Sequence, residues 1–122
     1  MTQEEKDLLL KDLCARLPYG VIISYDGDTI EERVMGFGSL HDFMFNNVIV
    51  RPYLRPMSSM TEEEKEKYCK LQDEVLYSSG RLVTDNISDM VEWLNSNHFD
   101  WRGLIEKGLA LEAPEGMYNL KE

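Results

Sequence analysis

The proline at position 18 constrains the fold of this chain more than any other residue. Before it, leucines recur at the mixed spacings of one, three and four residues that are typical of a helix, at Leu8, Leu9, Leu13 and Leu17. Proline disfavours helical geometry in the residue before it, so this helix must end by Leu17. The residues after the turn at 18–20 are β-branched and aromatic, and the chain therefore changes from helix to strand.

A hairpin is predicted directly after this turn. Asp26, Gly27 and Asp28 separate the apolar run 21–25 from a second run at 29–37. An Asp-Gly pair between such runs favours a type I′ turn, in which both central residues have positive φ. Two shorter runs, 43–45 and 48–50, flank a pair of asparagines and predict two short strands or one bulged strand.

Prolines limit what can follow these strands. Pro52 and Pro56 cannot donate to a ladder, so the stretch that contains them is expected to be an extended edge or a connection. A later apolar run, Leu109 to Leu111, could add one more strand.

Three helices are predicted, at 2–17, 61–78 and 86–97. Thr2 with Glu5 and Thr61 with Glu64 have the spacing of capping boxes. The third helix has apolar residues at i, i+3, i+4 and i+7, and Asp85 or Asn86 is its expected cap. The apolar residues of this third helix are Ile87, Met90, Val91 and Leu94. Gly80 is expected to follow the second helix.

Together these patterns predict one α+β domain over residues 1–122. Three amphipathic helices pack on a small, three- to five-stranded, mainly antiparallel sheet. The hydrophobic fraction of 43% beside 30% charged residues is that of an ordinary globular protein. The chain length is enough for one core.

Charge and composition narrow the function classes. The net charge of −10 is spread along the chain and disfavours direct binding to nucleic acid, which needs clustered Lys and Arg. No apolar run is long enough to cross a membrane, and the polar, acidic opening residues lack the pattern of an export signal. We therefore expect a cytoplasmic protein. Cys14 and Cys69 fall in helical patterns and are expected to be free thiols, although a disulfide stays open.

The segment 51–64, Arg-Pro-Tyr-Leu-Arg-Pro-Met-Ser-Ser-Met-Thr-Glu-Glu-Glu, resembles a family of small uncharacterised proteins from Bacteroides-type gut bacteria and their phages or mobile elements. Residues 13–21 resemble the opening of that family, and residues 89–110 and 114–118 resemble its closing part. Trp101 stands where the family pattern has a tyrosine, which keeps an aromatic residue there. The resemblance implies an origin, and it carries no activity, cofactor or functional residue.

The segment from His98 to Gly103 contains the candidate binding residues, His98, Asp100, Trp101 and Arg102. Trp and Arg are enriched at interface hot spots, which makes an exposed loop here a candidate for binding another protein. The alternative, which we favour, is that Trp101 is a plug buried against Ile87, Val91 or Leu94, with Arg102 paired to Asp100 or Glu106.

Histidine chemistry offers a weaker alternative. His41 beside Asp42 and His98 near Asp100 would form a metal site only if the fold brought them together. We instead expect His41 in a solvated loop and His98 as an imidazolium at the negative end of the third helix. No metal, cofactor or catalytic residue is predicted.

The sequence thus predicts a non-enzymatic accessory or protein-interaction protein of a phage or mobile element. One alternative is an acidic mimic of nucleic acid, which the charge of −10 suggests. Another is a small enzyme or metal-dependent protein that uses His41, His98 and nearby carboxylates. Oligomeric state stays open.

Overall fold

The computed structural model describes residues 1–77 and 83–118, and these form four α-helices and a four-stranded sheet. The helices are α1 (Gln3–Arg16), α2 (Phe37–Phe45), α3 (Glu62–Tyr77) and α4 (Val83–Ser96). The strands are β1 (Ile22–Asp26), β2 (Ile30–Val34), β3 (Ile49–Leu54) and β4 (Leu111–Glu112). The α+β class is confirmed, with one helix more than predicted.

Helix α1 begins and ends where the sequence predicts. The Thr2 hydroxyl accepts from the Glu5 amide at 3.0 Å, and the Glu5 carboxylate accepts from the Thr2 amide at 2.9 Å. Pro18 lies in a short 3₁₀ turn, Leu17–Tyr19, which Gly20 closes with a φ of 69°. The second predicted capping box, Thr61 with Glu64, is also present at the start of α3.

The sheet has the order β2-β1-β3-β4, with β1 antiparallel to both neighbours and β4 parallel to β3. The predicted hairpin joins β1 and β2, but its loop has three residues, 27–29, and Gly27 is not among the glycines with positive φ. The two-residue type I′ turn was therefore wrong. The Tyr25 ring lies so close to Gly27 that an added Cβ would sit 2.8 Å from it, so any other residue here would have to displace that ring.

Residues 37–45, part of which we predicted as strand, form helix α2. Gly36 is its N-terminal boundary residue, and the helix buries Ser39, Leu40 and Phe43 on one side. His41 therefore lies on a helix and not in a loop. The packing of this face against the core outweighs the strand preference of its aromatic residues.

Strand β3 lies inside the sheet, so the expectation of an edge at Pro52 was wrong. Pro52 is opposite Ile23 of β1, and pairing with β4 begins only at Tyr53. Where the β1 ladder ends, the Tyr118 hydroxyl lies between the strands. It accepts from the Ile22 amide at 2.9 Å and donates to the Tyr53 carbonyl at 2.7 Å.

Helix α4 begins before both of its predicted caps. Asp85 and Asn86 lie inside it, and the Asn86 side chain is buried and donates to the Glu74 carbonyl of α3 at 2.9 Å. The amide therefore ties the two helices together. Gly80 lies outside the described residues.

The main core forms between one face of the sheet, here called the inner face, and helices α1 and α2. Ile23, Val50 and Leu54 of the sheet meet Leu9 and Leu13 of α1, Leu40 and Phe43 of α2, and Leu104. A smaller cluster of Met60, Leu94 and Phe99 lies under the candidate loop. The opposite face of the sheet, the outer face, carries Ile22, Ile30, Val34 and Ile49.

Candidate functional site

Backbone hydrogen bonds fix the start of the loop after α4. The Phe99 amide donates to the Leu94 carbonyl at 3.0 Å and the His98 amide to the Asn95 carbonyl at 3.1 Å. This is a Schellman motif, which places His98 in the position that glycine usually occupies. His98 accordingly has a φ of 66°.

His98 is held as a neutral ring, contrary to the predicted imidazolium. Its ring stacks on Tyr118, with centroids 3.8 Å apart. Burial, together with the nearby positive charges of Arg16 and Arg55, lowers the pKa of His98 to about 4. Its Nδ1 atom is buried and has no hydrogen-bond partner in the described part of the chain.

Asp100 is a helix cap rather than a partner of Arg102. Its carboxylate accepts from the amides of Leu104 at 2.7 Å and Ile105 at 3.0 Å, which satisfies the first donors of a single helical turn. A second Schellman motif ends that turn at Gly108, whose φ is 76°. The segment from Asp100 to Gly108 is thus capped at both ends.

Arg102 reaches across the molecule to α1. Its Nε donates to Asp12 at 3.0 Å, so the predicted pairing with Asp100 or Glu106 was wrong. The same carboxylate accepts from Arg16 Nε at 2.7 Å, and both Asp12 and Arg16 are fully buried. Arg16 also donates to the Phe99 carbonyl at 2.7 Å, which ties the loop to α1 a second time.

Trp101 is partly buried at the edge of the smaller cluster. Its Nε1 donates to Asn95 at 2.8 Å, and the Arg102 guanidinium lies 4.2 Å from the centre of its ring. The ring packs with the cluster that contains Leu94. Its position on the Leu94 cluster is therefore close to the predicted plug and differs from an exposed hot spot.

A second ion pair supports the loop from the side of β3. Arg55 is buried and contacts both carboxylate oxygens of Glu64, at 2.9 and 2.7 Å. Burial alone would raise the pKa of Glu64, but hydrogen bonds from Arg55 and Thr61 outweigh it and hold that pKa below its usual range. The Arg55 guanidinium also covers the Phe99 ring at 4.2 Å. Backbone bonds at Arg55 hold His98 and Asp100 beside the end of β3.

The charged side chains in and around the loop at 98–102 are equal in number and opposite in sign. Arg16, Arg55 and Arg102 are matched by Asp12, Glu64 and Asp100, and each carboxylate accepts hydrogen bonds within the protein. Such a network orients the loop but presents little free charge to a ligand. A groove of about 370 Å³ opens beside it, between Arg55, Glu112 and Tyr118.

No family model, curated protein or solved structure matches this chain. The family resemblance therefore stays a prediction.

The described residues also bear on the metal-site and membrane alternatives. They contain no group of three or more His, Cys, Asp or Glu side chains that could hold a metal ion. Within the same ranges, no helix combines the length and apolar character needed to span a membrane. Cys14 and Cys69 are free and exposed.

Sequence reasoning brought together the four loop residues but missed the residues that hold them. Asp12 and Arg16 follow Leu9 at i+3 and i+7, on the same helical face as Leu13, and this spacing could have shown that both point inward. Tyr118 carries no comparable signal, since its partners are 96 and 65 residues away.

Proposed function

We propose that this chain is a non-enzymatic protein-interaction protein whose contact residues lie on β2, α2 and the start of β3. One observation carries the proposal. Among the described residues, large apolar side chains that stay exposed concentrate between positions 30 and 49. Ile30, Val34 and Ile49 lie on the outer face of the sheet, and Phe37, Met44 and Phe45 lie on α2, which packs against the inner face.

Two of these side chains are aromatic and strongly exposed. Phe37 is 80% and Phe45 is 67% exposed, although they lie at opposite ends of a helix that buries Leu40 and Phe43. Aromatic residues are enriched at protein interfaces, so two strongly exposed phenylalanines on one short helix support a role in binding. The loop at 98–102 supports the same assignment, because its charged side chains are paired within the protein and leave little free charge for a partner.

The origin of the chain is part of this proposal. The resemblance of segment 51–64 and of the closing part supports an accessory protein of a phage or mobile element that acts in the cytoplasm of a Bacteroides-type bacterium. The partner is then a protein of that host or element.

Affinity capture from a Bacteroides lysate, with and without phage infection, tests the proposal. The bait variant is Phe37→Ser with Phe45→Ser, and the matched control is Leu76→Ser with Tyr77→Ser, which changes two equally exposed apolar residues at the end of α3. We expect a host or phage protein that is retained by wild type and by the control pair, and lost from the α2 pair. Equal retention by all three baits would show that this surface does not bind.

A further inference from the structure

The outer edge of β2 is unpaired among the described residues, because β2 is the first strand in the order β2-β1-β3-β4. A free edge presents backbone donors and acceptors that another strand can use. Its side chains are accessible as well, with Ile30 73% and Val34 62% exposed.

The register shows which backbone groups point outward. The Met35 amide donates to the Val21 carbonyl at 2.9 Å, so this pair belongs to the hydrogen-bonded positions of the ladder. The Ile22 amide instead points away from β2, toward Tyr118 at 2.9 Å. Because antiparallel pairs alternate, Val34, Glu32 and Ile30, opposite Ile22, Ser24 and Asp26, direct their amides and carbonyls to the free edge.

We propose that a second copy of this chain pairs with this edge, antiparallel and with Glu32 on the twofold axis. The proposal rests on the proposed function, since it names one partner for the contact residues on β2. In this register Ile30 of each copy lies opposite Val34 of the other, and Glu31 lies opposite Arg33.

The sequence of the strand, Ile-Glu-Glu-Arg-Val, is best matched to itself in this register. All three registers set one pair of like charges on the axis, but a shift of the axis to Glu31 or to Arg33 also loses both Glu31–Arg33 pairs and places Glu32 against an apolar residue. The favoured register instead joins all three outward-pointing positions of each strand. It also adds apolar pairs on the outer face and ion pairs on the inner face.

The inner-face charges are already in position. Arg33 and Glu31 of one strand form an ion pair in which both side chains stay accessible, 39% and 47% exposed. The Arg33 guanidinium rests 3.8 Å from the centre of the Tyr25 ring, which limits its motion. Directly opposite residues at non-hydrogen-bonded positions lie closest, so each Arg33 can contact the partner's Glu31.

The two Glu32 side chains oppose pairing, since they meet at the axis. We expect a weak dimer, because one strand pair buries a small area.

Charge reversal tests this pairing in full-length protein. Sedimentation equilibrium from about 10 µM to about 1 mM should show a wild-type monomer–dimer equilibrium. We expect a dissociation constant within this concentration range, because the interface is small. Glu31→Arg and Arg33→Glu should each weaken self-association by about tenfold, because both cross-strand pairs become repulsive. An equimolar mixture of these two variants should associate again, since every introduced charge then faces its opposite.

Controls separate this result from nonspecific charge effects. Glu66→Arg and Lys67→Glu make the same charge changes on the exposed face of α3 and should associate like wild type. Glu32→Thr should tighten the dimer. A wild type and a Glu32→Thr variant that both stay monomeric would overturn the proposal, as would a folded mixture that associates no better than its components. Monomers that still capture a host protein through Phe37 and Phe45 would leave the proposed function intact.

Discussion

His98 has a backbone conformation that residues with side chains seldom adopt. Its φ of 66° is stabilised by two Schellman hydrogen bonds, and its ring is fixed by stacking on Tyr118. Arg16 and Arg55 lie close enough to disfavour a third positive charge. Protonation of the His98 ring is therefore expected to destabilise the folded state.

We expect acid to destabilise the protein through His98. Its pKa is about 4 in the folded state and 6.5 ordinarily, so between these values the unfolded chain binds the proton more readily. The stability that neutral His98 contributes is complete above pH 6.5 and is lost as the pH falls toward 4. Thermal melts across this range should show it. His98→Asn, which tolerates positive φ, should flatten the slope above pH 4.5, where carboxylates contribute least; equal slopes would contradict the assignment.

Trp101 is expected to stabilise the fold without being part of the deepest core. Trp101→Ala removes a half-buried ring and its bond to Asn95, and should cost about 2 to 4 kcal/mol of unfolding free energy, less than a full core truncation. Trp101→Phe should cost less than half as much, because it keeps the contact with the cluster. Urea denaturation measures both. An unchanged midpoint for Trp101→Ala would contradict the structural role and favour Trp101 as a binding residue.

At the scale of elements, α1 buries charge as well as leucine. Leu9, Asp12, Leu13 and Arg16 form its buried face, and two of these four are ionic. The Asp12 carboxylate on this face accepts from Arg16 and also from Arg102, which lies 90 residues away in the sequence. A buried pair of this kind depends on both partners.

Asp12→Ala should destabilise the protein by about 3 to 5 kcal/mol, because it leaves Arg16 buried without its carboxylate. Asp12→Leu combined with Arg16→Met should restore much of this loss, since Arg102 is partly exposed and can turn to solvent. A double-mutant cycle of Asp12→Leu, Arg16→Met and their combination, measured by urea denaturation, gives the coupling free energy between the two side chains. Lys65→Ala, which breaks an exposed pair with Glu62, is the control and should change stability by less than about 0.5 kcal/mol. An Asp12→Ala variant as mild as this control would contradict the argument.

The features that sequence predicted well are local ones. Each capping box joins residues three apart, and the β1–β2 hairpin is set by three loop residues, so short-range patterns suffice. Helix α2 was missed because its three buried residues gain their stability from the sheet and α1, a term that strand propensity does not contain. The Asp100 cap is local and yet was also missed, since Asp100 was considered as a partner of Arg102 or as a metal ligand and not as a helix cap.

At the candidate site too, contacts between distant elements could not be predicted from sequence. Sequence identified His98, Asp100, Trp101 and Arg102 as neighbours, but their roles depend on Asp12, Arg16 and Arg55 from other elements. Which charged residues lie inside is decided by the packing of α1 and β3. Periodicity indicates a buried face, but it does not name the partner across it.

At the scale of the whole molecule, the bond between Tyr118 and Ile22 joins residues 96 positions apart. Burial raises the pKa of Tyr118 to about 12, so the hydroxyl keeps its proton and can serve both strands at once at any physiological pH. Tyr118→Phe would leave the Ile22 amide and the Tyr53 carbonyl without this partner. Thermal or urea unfolding should show a loss of about 1 to 3 kcal/mol.

The bridging hydroxyl also has a consequence for the order of folding. It can enter only after β1 and β3 have come together, and the long loop that it closes carries a high entropic cost. The bond should therefore be absent from the folding transition state. In stopped-flow chevron experiments, Tyr118→Phe should accelerate unfolding and leave the refolding rate nearly unchanged, with a φ-value near zero. Tyr118 would then act as a kinetic latch, which sets how long the assembled sheet lasts and not how fast it forms.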